Sequence, residues 1–388
     1  GPELPIPDDA RRVDAAGAWA LPGIIDAHSH IGTLEDGAGW AGDDHDEGTD
    51  PVTARIRAID ALNPADLALR DAVAAGVLAV GVNPGSCNVV GGQCVALRVW
   101  AGPDATVDEL VLRNPCGIKS ALGENPKKAY GDRRQFPSTR MGVAALLRQT
   151  LTRAQRYEAD RHETQRYEAQ RDGARSGPAQ HDGAGAPSAT DLDLAAIGLA
   201  LRGEVPWRQH VHRADDIATA LRLADEFGYR LVIDHGTESA PLAAELARRG
   251  IPVVVGPLIV TRCKDELRHK SPRTAGALAA AGVKIAIATD HPVVPVQFLT
   301  YQATLAVRDG LDPRVALEAL TINPAEILGV DDRLGSLEPG KDADFCLWSG
   351  DPLDPMQRVL ASFIRGRRVY HWDDARGVGF LDGQEWSL

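Results

Sequence analysis

The sequence predicts an α/β protein, a (β/α)8 TIM barrel followed by a small β unit, and three observations carry the prediction. Short β-branched runs alternate with amphipathic helical stretches through the middle of the 388 residues. Histidines and an aspartate recur where those runs end. Past Leu334 the helical pattern gives way to short alternating segments.

In chain order, the expected strands are Ile24–Ala27, Val77–Val82, a loosely bounded one within Val89–Trp100, Ile118–Ala121, Trp207–Val211, Leu231–Asp234, Val253–Val255 and Val283–Ala288. Helical patterns over Pro64–Ala75, Thr139–Gln155, Ala214–Phe227, Pro241–Arg249 and Thr274–Ala281 separate most of them. Asn63-Pro64 reads as a cap followed by proline in the first helical position, while Gly228 and Gly250 stand where helices should stop. Between Arg153 and Asp191 the composition turns to Gln, Arg, Glu and Ala, then to Gly, Pro, Ser and His, with Gln155–Ala159 repeated as Gln165–Ala169. The first part extends the preceding helix in this reading. Asp172–Thr190 has too little apolar content to offset its ordering entropy and is expected to be mobile, so His162 and His181 are not expected to be ligands. Helices over Asp312–Leu320 and Pro324–Leu328 precede the short segments Phe345–Trp348, Val359–Ile364 and Arg368–His371.

The bulk numbers narrow the function. A net charge of -12 repels phosphate backbones and anionic lipid heads, so a small-molecule substrate is expected, with neither nucleic acid nor membrane as partner. The hydrophobic share of 44% fits a well-buried fold, and no apolar run approaches the roughly 18 to 20 residues of a membrane span. Five cysteines without CxxC spacing point to neither a disulfide framework nor a thiolate zinc site, which fits a reducing cytoplasm. A homodimer is the default assembly.

The chemistry lies at the strand ends. His28 and His30 are i and i+2 at the end of a strand, so their rings share a face. His210 and His212 flank Val211, His235 follows Asp234, and Asp290 closes Ile285–Thr289 before His291. In a parallel barrel these groups converge at one mouth. Imidazoles with a carboxylate suit Zn²⁺, and by ligand type also Fe²⁺, Mn²⁺ or Co²⁺. Such a metal lowers the pKa of its water to about 7, and a neighbouring carboxylate can pass that water's proton to a leaving nitrogen. Arg140 and Arg213 offer bidentate forks to a substrate carboxylate or else make surface ion pairs. Gly91-Gly92-Gln93 offers ligand donors or an ordinary turn, and His45 sits in an acidic loop, solvated or lying over the site. Lys119, if it points inward, needs a partner or a modification.

Leu21-Pro22-Gly23-Ile24-Ile25-Asp26-Ala27-His28-Ser29-His30 resembles the opening metal motif of the amidohydrolase superfamily of metal-dependent barrel hydrolases. Asn323–Gly329 and Gly335–Asp344 resemble that superfamily's exit into a small β-sandwich, and Pro84–Gln93, Gly117–Pro126 and Pro137–Gly142 are similar to its imidazolonepropionase and prolidase-like branch. The resemblance implies a sandwich built from both termini (residues 1–21 and 331–388), around a barrel at 22–330 with the insertion at 153–191. It implies His28, His30, His210 and His235 as ligands and His212 near the substrate, with His210 and His212 open to exchange. Asp290 would be both ligand and general base, and one or two ions would be bound, the second through Glu124 or a carboxylated Lys119. The activity implied is attack of metal-bound hydroxide on an amide, cyclic amide or amidine carbon, with deamination of a heterocycle or a non-catalytic scaffold as alternatives. Members of this branch carry several strands before the first motif; here Glu3–Leu21 precede it, so the N-terminal part of the sandwich is expected to be truncated or reduced.

Overall fold

The β-branched runs pair into two sheets. The structure, a computed structural model, describes residues 8, 10, 12–173 and 191–386. In chain order the strands are β1 (Trp19–Pro22), β2 (Ile24–Ser29), β3 (Val77–Val82), β4 (Val90–Arg98), β5 (Val111–Ala121), β6 (Trp207–Val211), β7 (Leu231–His235), β8 (Val253–Val255), β9 (Ile285–Ile287), β10 (Phe345–Trp348), β11 (Val359–Ile364), β12 (Arg367–Asp373), β13 (Val378–Leu381) and β14 (Gln384–Glu385). One sheet takes β2 through β9 in order and forms the barrel; the other runs β1-β10-β11-β12-β13-β14, all antiparallel, so both ends of the chain contribute to it.

The barrel departs from uniform parallel order at one place. β4 runs antiparallel to both β3 and β5. It is the strand whose bounds the sequence left loose, and its reversal brings its first residues, Val90 to Gly92, to the mouth. A short connection, Asn83–Val89, suffices between β3 and β4, because an antiparallel neighbour needs no helical crossover.

β2 and β9 form the seam. Across it Asp290 N donates to His28 O at 3.1 Å and His30 N to His291 O at 2.9 Å. The buried Asp26 carboxylate accepts from Thr289 N at 3.1 Å and from the Thr289 hydroxyl. Inside the barrel, Ile25, Ala79, Ala96 and Leu328 form one apolar cluster and Ala27, Val232, Val254, Ala286 and Ile327 another. Ile327 and Leu328 come from the helix Ile322–Leu328, which stoppers the end opposite the histidines.

Helix boundaries follow local chemistry. Ala214–Phe227 buries Ile217, Leu221 and Phe227 and stops at Gly228, whose φ of 76° is left-handed. The helix expected from Pro64 begins later, at Leu67, because Asp66 and not Asn63 caps it. Asp66 accepts from Ala68 N at 3.1 Å and, across the loop after β2, from Gly32 N at 2.8 Å and Asp36 N at 3.2 Å. Asp66→Ala is therefore expected to cost about 1–2 kcal/mol, seen as a lower midpoint in thermal unfolding; an unchanged midpoint would discount the cap. The helix expected over Thr139–Gln155 runs as Arg140–Gly173, carrying regular structure through much of the region of altered composition, with His162 on its exposed surface. Residues 174–190, with His181, lie outside the described residues. Helices at Glu124–Gly131, Leu192–Leu201 and Leu299–Arg308 complete the outer layer. Among the described residues no helix is long and apolar enough to cross a membrane.

Candidate metal centre

At the mouth, β2 slips in register. Asp26 stands opposite Val80 and Ser29 opposite Val82, one residue more on β2 than on β3. Such a bulge re-aims side chains. Ser29 Oγ donates to Gly81 O at 3.2 Å, and His28 and His30 turn into the mouth with ring centroids 5.6 Å apart. Asp290, just past β9, sets Oδ1 3.4 Å from His28 Nε2 and 3.3 Å from His30 Nε2. These three residues form one group of donors able to hold a metal ion.

A second group is His210, His212 and His235, with centroids 4.5 to 4.9 Å apart. It is continuous with the first, since His235 lies 4.8 Å from His28. Both His235 (φ 71°) and Asp290 (φ 55°) hold left-handed backbone, a conformation that costs a non-glycine residue about 1–2 kcal/mol and that aims each side chain inward at the end of its strand.

Hydrogen bonds fix which ring nitrogen faces the centre. His30 Nδ1 donates to Asn83 O at 2.8 Å and His235 Nδ1 to Gly256 O at 2.7 Å, leaving each Nε2 lone pair free for a cation. His212 Nδ1 pairs with Thr237 Oγ1 at 2.7 Å and His210 Nδ1 with Ser86 Oγ at 3.0 Å. Electrostatics agree with this assignment. Burial holds His30 below the usual imidazole range and brings His235 down to about 3. Burial, then the Lys264 ammonium, keeps His212 well below it; for His210 the causes are burial, then His235 and His212. Burial pushes Asp290 upward, but His235, His28 and His30 outweigh it and keep the carboxyl well below its ordinary value. Neutral imidazoles beside an ionised carboxylate are the protonation states a divalent cation requires.

Gly256 is what allows His235 its partner. At φ 144° it runs past β9, and a Cβ there would lie 2.2 Å from Ala288 O. Gly256→Ala must push the two strand ends apart, at an expected cost of about 2–3 kcal/mol with weakened metal binding. Thermal unfolding with a metal titration checks it, and wild-type values in both would remove the close approach as a constraint.

Lys119, wholly buried on β5, points into the centre. Its Nζ lies 3.3 Å from His28 Nε2 and 3.1 Å from Pro84 O, and burial lowers its pKa. Glu124 does not join the donors. It opens the helix Glu124–Gly131 and its Oε2 lies 3.4 Å from Glu266 N. Three expected substrate contacts are also redirected. Gln93 stands opposite Ile118 rather than Lys119, so its amide reaches outward to Ala54 O at 3.4 Å. Arg140 Nε is taken by Asp216 at 2.8 Å, and Arg213 makes a two-pronged pair with Asp215, both bonds 2.9 Å. His45 lies over the mouth, its ring 5.1 Å from His30 and its nitrogens on Asp43 and Asp46.

Beneath the donors sits an ion pair that the sequence reading passed over. Arg208 and Asp234, both wholly buried, meet at 2.6 Å, and Asp234 Oδ1 lies 3.4 Å from His28 Nδ1. A signal was present, because Arg208, His210 and His212 alternate along one face of a strand and Asp234 directly precedes His235. Lys264 and Asn125, which stand at the rim, carry no such pattern.

A solved amidohydrolase from Thermotoga maritima MSB8 superposes with a TM-score of 0.86 and 43% identity, over 95% of this chain and 91% of that one. The chain belongs to the amidohydrolase family. The profile described as "Amidohydrolase family" matches residues 189–369, which hold His210, His212, His235 and Asp290. Among curated relatives, amidohydrolase tasK of Hapsidospora irregularis is 30% identical over 91% of this chain, which spans only 36% of that protein's length. An imidazolonepropionase of Acidiphilium cryptum is 28% identical over 97% of this chain and 90% of its own. In this amidohydrolase the buried His/His/Asp and His/His/His groups form a metal-binding site of the kind that serves hydrolysis of carbon–nitrogen bonds.

Proposed function

We propose that the protein is a zinc-dependent amidohydrolase of the imidazolonepropionase-like branch, opening an amide, cyclic amide or amidine bond of a small molecule. The observation that carries the reading is the convergence of His28, His30, His210, His212, His235 and Asp290 at one barrel mouth. His28, His30 and Asp290 would hold one cation, and His210 and His235 the other, with His212 facing the substrate. Lys119, whose Nζ approaches His28, would help to hold both cations once its neutral amine has added carbon dioxide and released a proton to form a carbamate, which also removes the cost of burying an unpaired ammonium. When bound, the divalent cation supplies Lewis acidity toward water and toward the carbonyl oxygen under attack.

The chain's own groups do the rest. Asp290 Oδ takes the proton from the attacking water and returns it to the departing nitrogen. The hydrogen bonds to Asn83 O and Gly256 O keep His30 and His235 from turning away, and the low pKa values keep both unprotonated at neutral pH. The lengthwise match to an imidazolonepropionase supports ring opening over deamination.

The test is to count zinc per chain after dialysis and to assay a panel of linear and cyclic amides, following both acid formation and ammonia release. Two zinc ions, falling to one in Lys119→Ala, with acid formed and no ammonia from heterocycles, are expected. A chain that retains no zinc, or one that releases ammonia from purines or pyrimidines, would replace this reading.

A further inference from the structure

The groups expected to bind a substrate carboxylate, Arg140 and Arg213, are spent on the protein's own acids, yet a cation does stand at the rim. Lys264, in the segment between β8 and the helix Arg273–Ala280, is 20% exposed. Its Nζ donates to Asn125 Oδ1, a neutral partner, at 2.9 Å. Among the described residues the carboxylate nearest to it, Glu266 Oε2, is 3.7 Å away, and Glu266 gives its other oxygen to Glu124 N at 2.6 Å and Arg140 Nη2 at 3.4 Å. The same Asn125 lies 3.4 Å from His210 Nε2 through Nδ2, so one amide group separates the Lys264 ammonium from the three-histidine group. The centre is therefore polarised, with Asp290 on the β2–β9 seam and a cation beyond His210, on the far side of Asn125.

We propose that Lys264, oriented by Asn125, receives a carboxylate on the substrate and so selects anionic amides; this rests on the amidohydrolase reading given above. Three physical points support it. On a chain of net charge -12, a carboxylate drawn to the mouth needs a local cation, and Lys264 is one whose hydrogen bond goes to an uncharged group and whose ion pair with Glu266 is long, at 3.7 Å. Asn125 accepts from the Lys264 ammonium at 2.9 Å and itself lies 3.4 Å from His210 Nε2, so the charge stands within one amide group of the donors. A neutral substrate seated there would strip water from the ammonium without replacing it, which is how a site built for a charged group rejects the analogue lacking one. The placement also sets direction: a substrate held at Lys264 presents its far end, with the bond to be cleaved, toward His28, His30 and Asp290.

The test uses zinc-loaded full-length protein and matched pairs of N-acyl amino acids, dipeptides and five-membered cyclic amides, each beside the analogue whose carboxylate is a carboxamide. Binding is measured by calorimetry in Asp290→Asn protein, and turnover in the wild type. Carboxylates are expected to bind about 10- to 100-fold more tightly than their carboxamides. That preference should collapse to within about threefold when Lys264→Met is added, and largely return with Lys264→Arg, the change appearing in KM more than in kcat. A panel in which no carboxylate outbinds its carboxamide, or a preference that survives Lys264→Met, overturns the proposal. Carboxylate preference in binding with no hydrolysis of any pair would leave Lys264 in its role and remove the hydrolase reading instead.

Discussion

Asp290→Asn is expected to reduce turnover by about 10²- to 10⁴-fold while leaving the fold intact, because it replaces a proton-accepting carboxylate by an amide of nearly the same shape. Asn tolerates the left-handed backbone that Asp290 adopts at φ 55°, so the turn that follows β9 survives. Its side-chain oxygen can still approach His28 and His30 at the present 3.4 and 3.3 Å. What is lost is the charge that the surrounding imidazoles hold in place, and with it the capacity to take a proton from water and return it to nitrogen. Weaker metal binding must be separated from lost proton transfer, so zinc content is measured beside kcat at saturating metal. A fall in kcat at full zinc occupancy fits a shuttle. A fall that excess zinc repairs assigns Asp290 to metal retention alone, and activity within about tenfold of wild type removes the shuttle role.

Much of this site was legible because periodicity and end position are local properties. Trp207–Val211 and Val253–Val255 stand where the β-branched runs placed them, and Ala214–Phe227 where its amphipathic pattern and Gly228 bounded it. His28, His30, His210, His212, His235 and Asp290 meet because each follows or ends a strand, and a barrel collects strand ends. What stayed hidden depends on partners distant in sequence. The reversal of β4 follows from a short connection rather than from its own residues, and that reversal, with its register, sends Gln93 outward. For Arg140 and Arg213 the sequence left a substrate carboxylate and a surface ion pair equally open, and folding decides for the ion pair by bringing Asp216 and setting Asp215 against them. Glu124 and Lys119 were equal candidates in the sequence. The pleat separates them, since Lys119 lies on the inner face of β5 and Glu124 beyond its end, at a helix start.

Asp234→Ala is expected to cost about 3–5 kcal/mol of stability, the largest loss anticipated for a residue outside the donor groups. Asp234 takes both Nε and Nη2 of Arg208, with bonds from 2.6 to 3.2 Å, in a wholly buried pair. Among the described residues Arg208 Nη1 already has no hydrogen-bond partner, and Nη2 donates to Ala27 O at 3.0 Å. Removing the carboxylate would leave a guanidinium uncompensated inside the barrel near the buried Lys119. The second consequence falls on His28, whose Nδ1 makes no hydrogen bond among the described residues and loses its one charged neighbour there, the carboxylate 3.4 Å away, so zinc affinity should fall about 10- to 100-fold. The two effects can be told apart by removing the cation as well. Arg208→Met with Asp234→Leu takes away the unpaired charge and fills the space with apolar volume, so it should recover most of the lost stability while leaving zinc affinity low. Thermal unfolding and zinc titration on the single and double variants check both halves. A single variant within about 1 kcal/mol of wild type would show that water reaches the guanidinium, whereas zinc affinity restored in the double variant would mean that Asp234 serves the barrel and not His28.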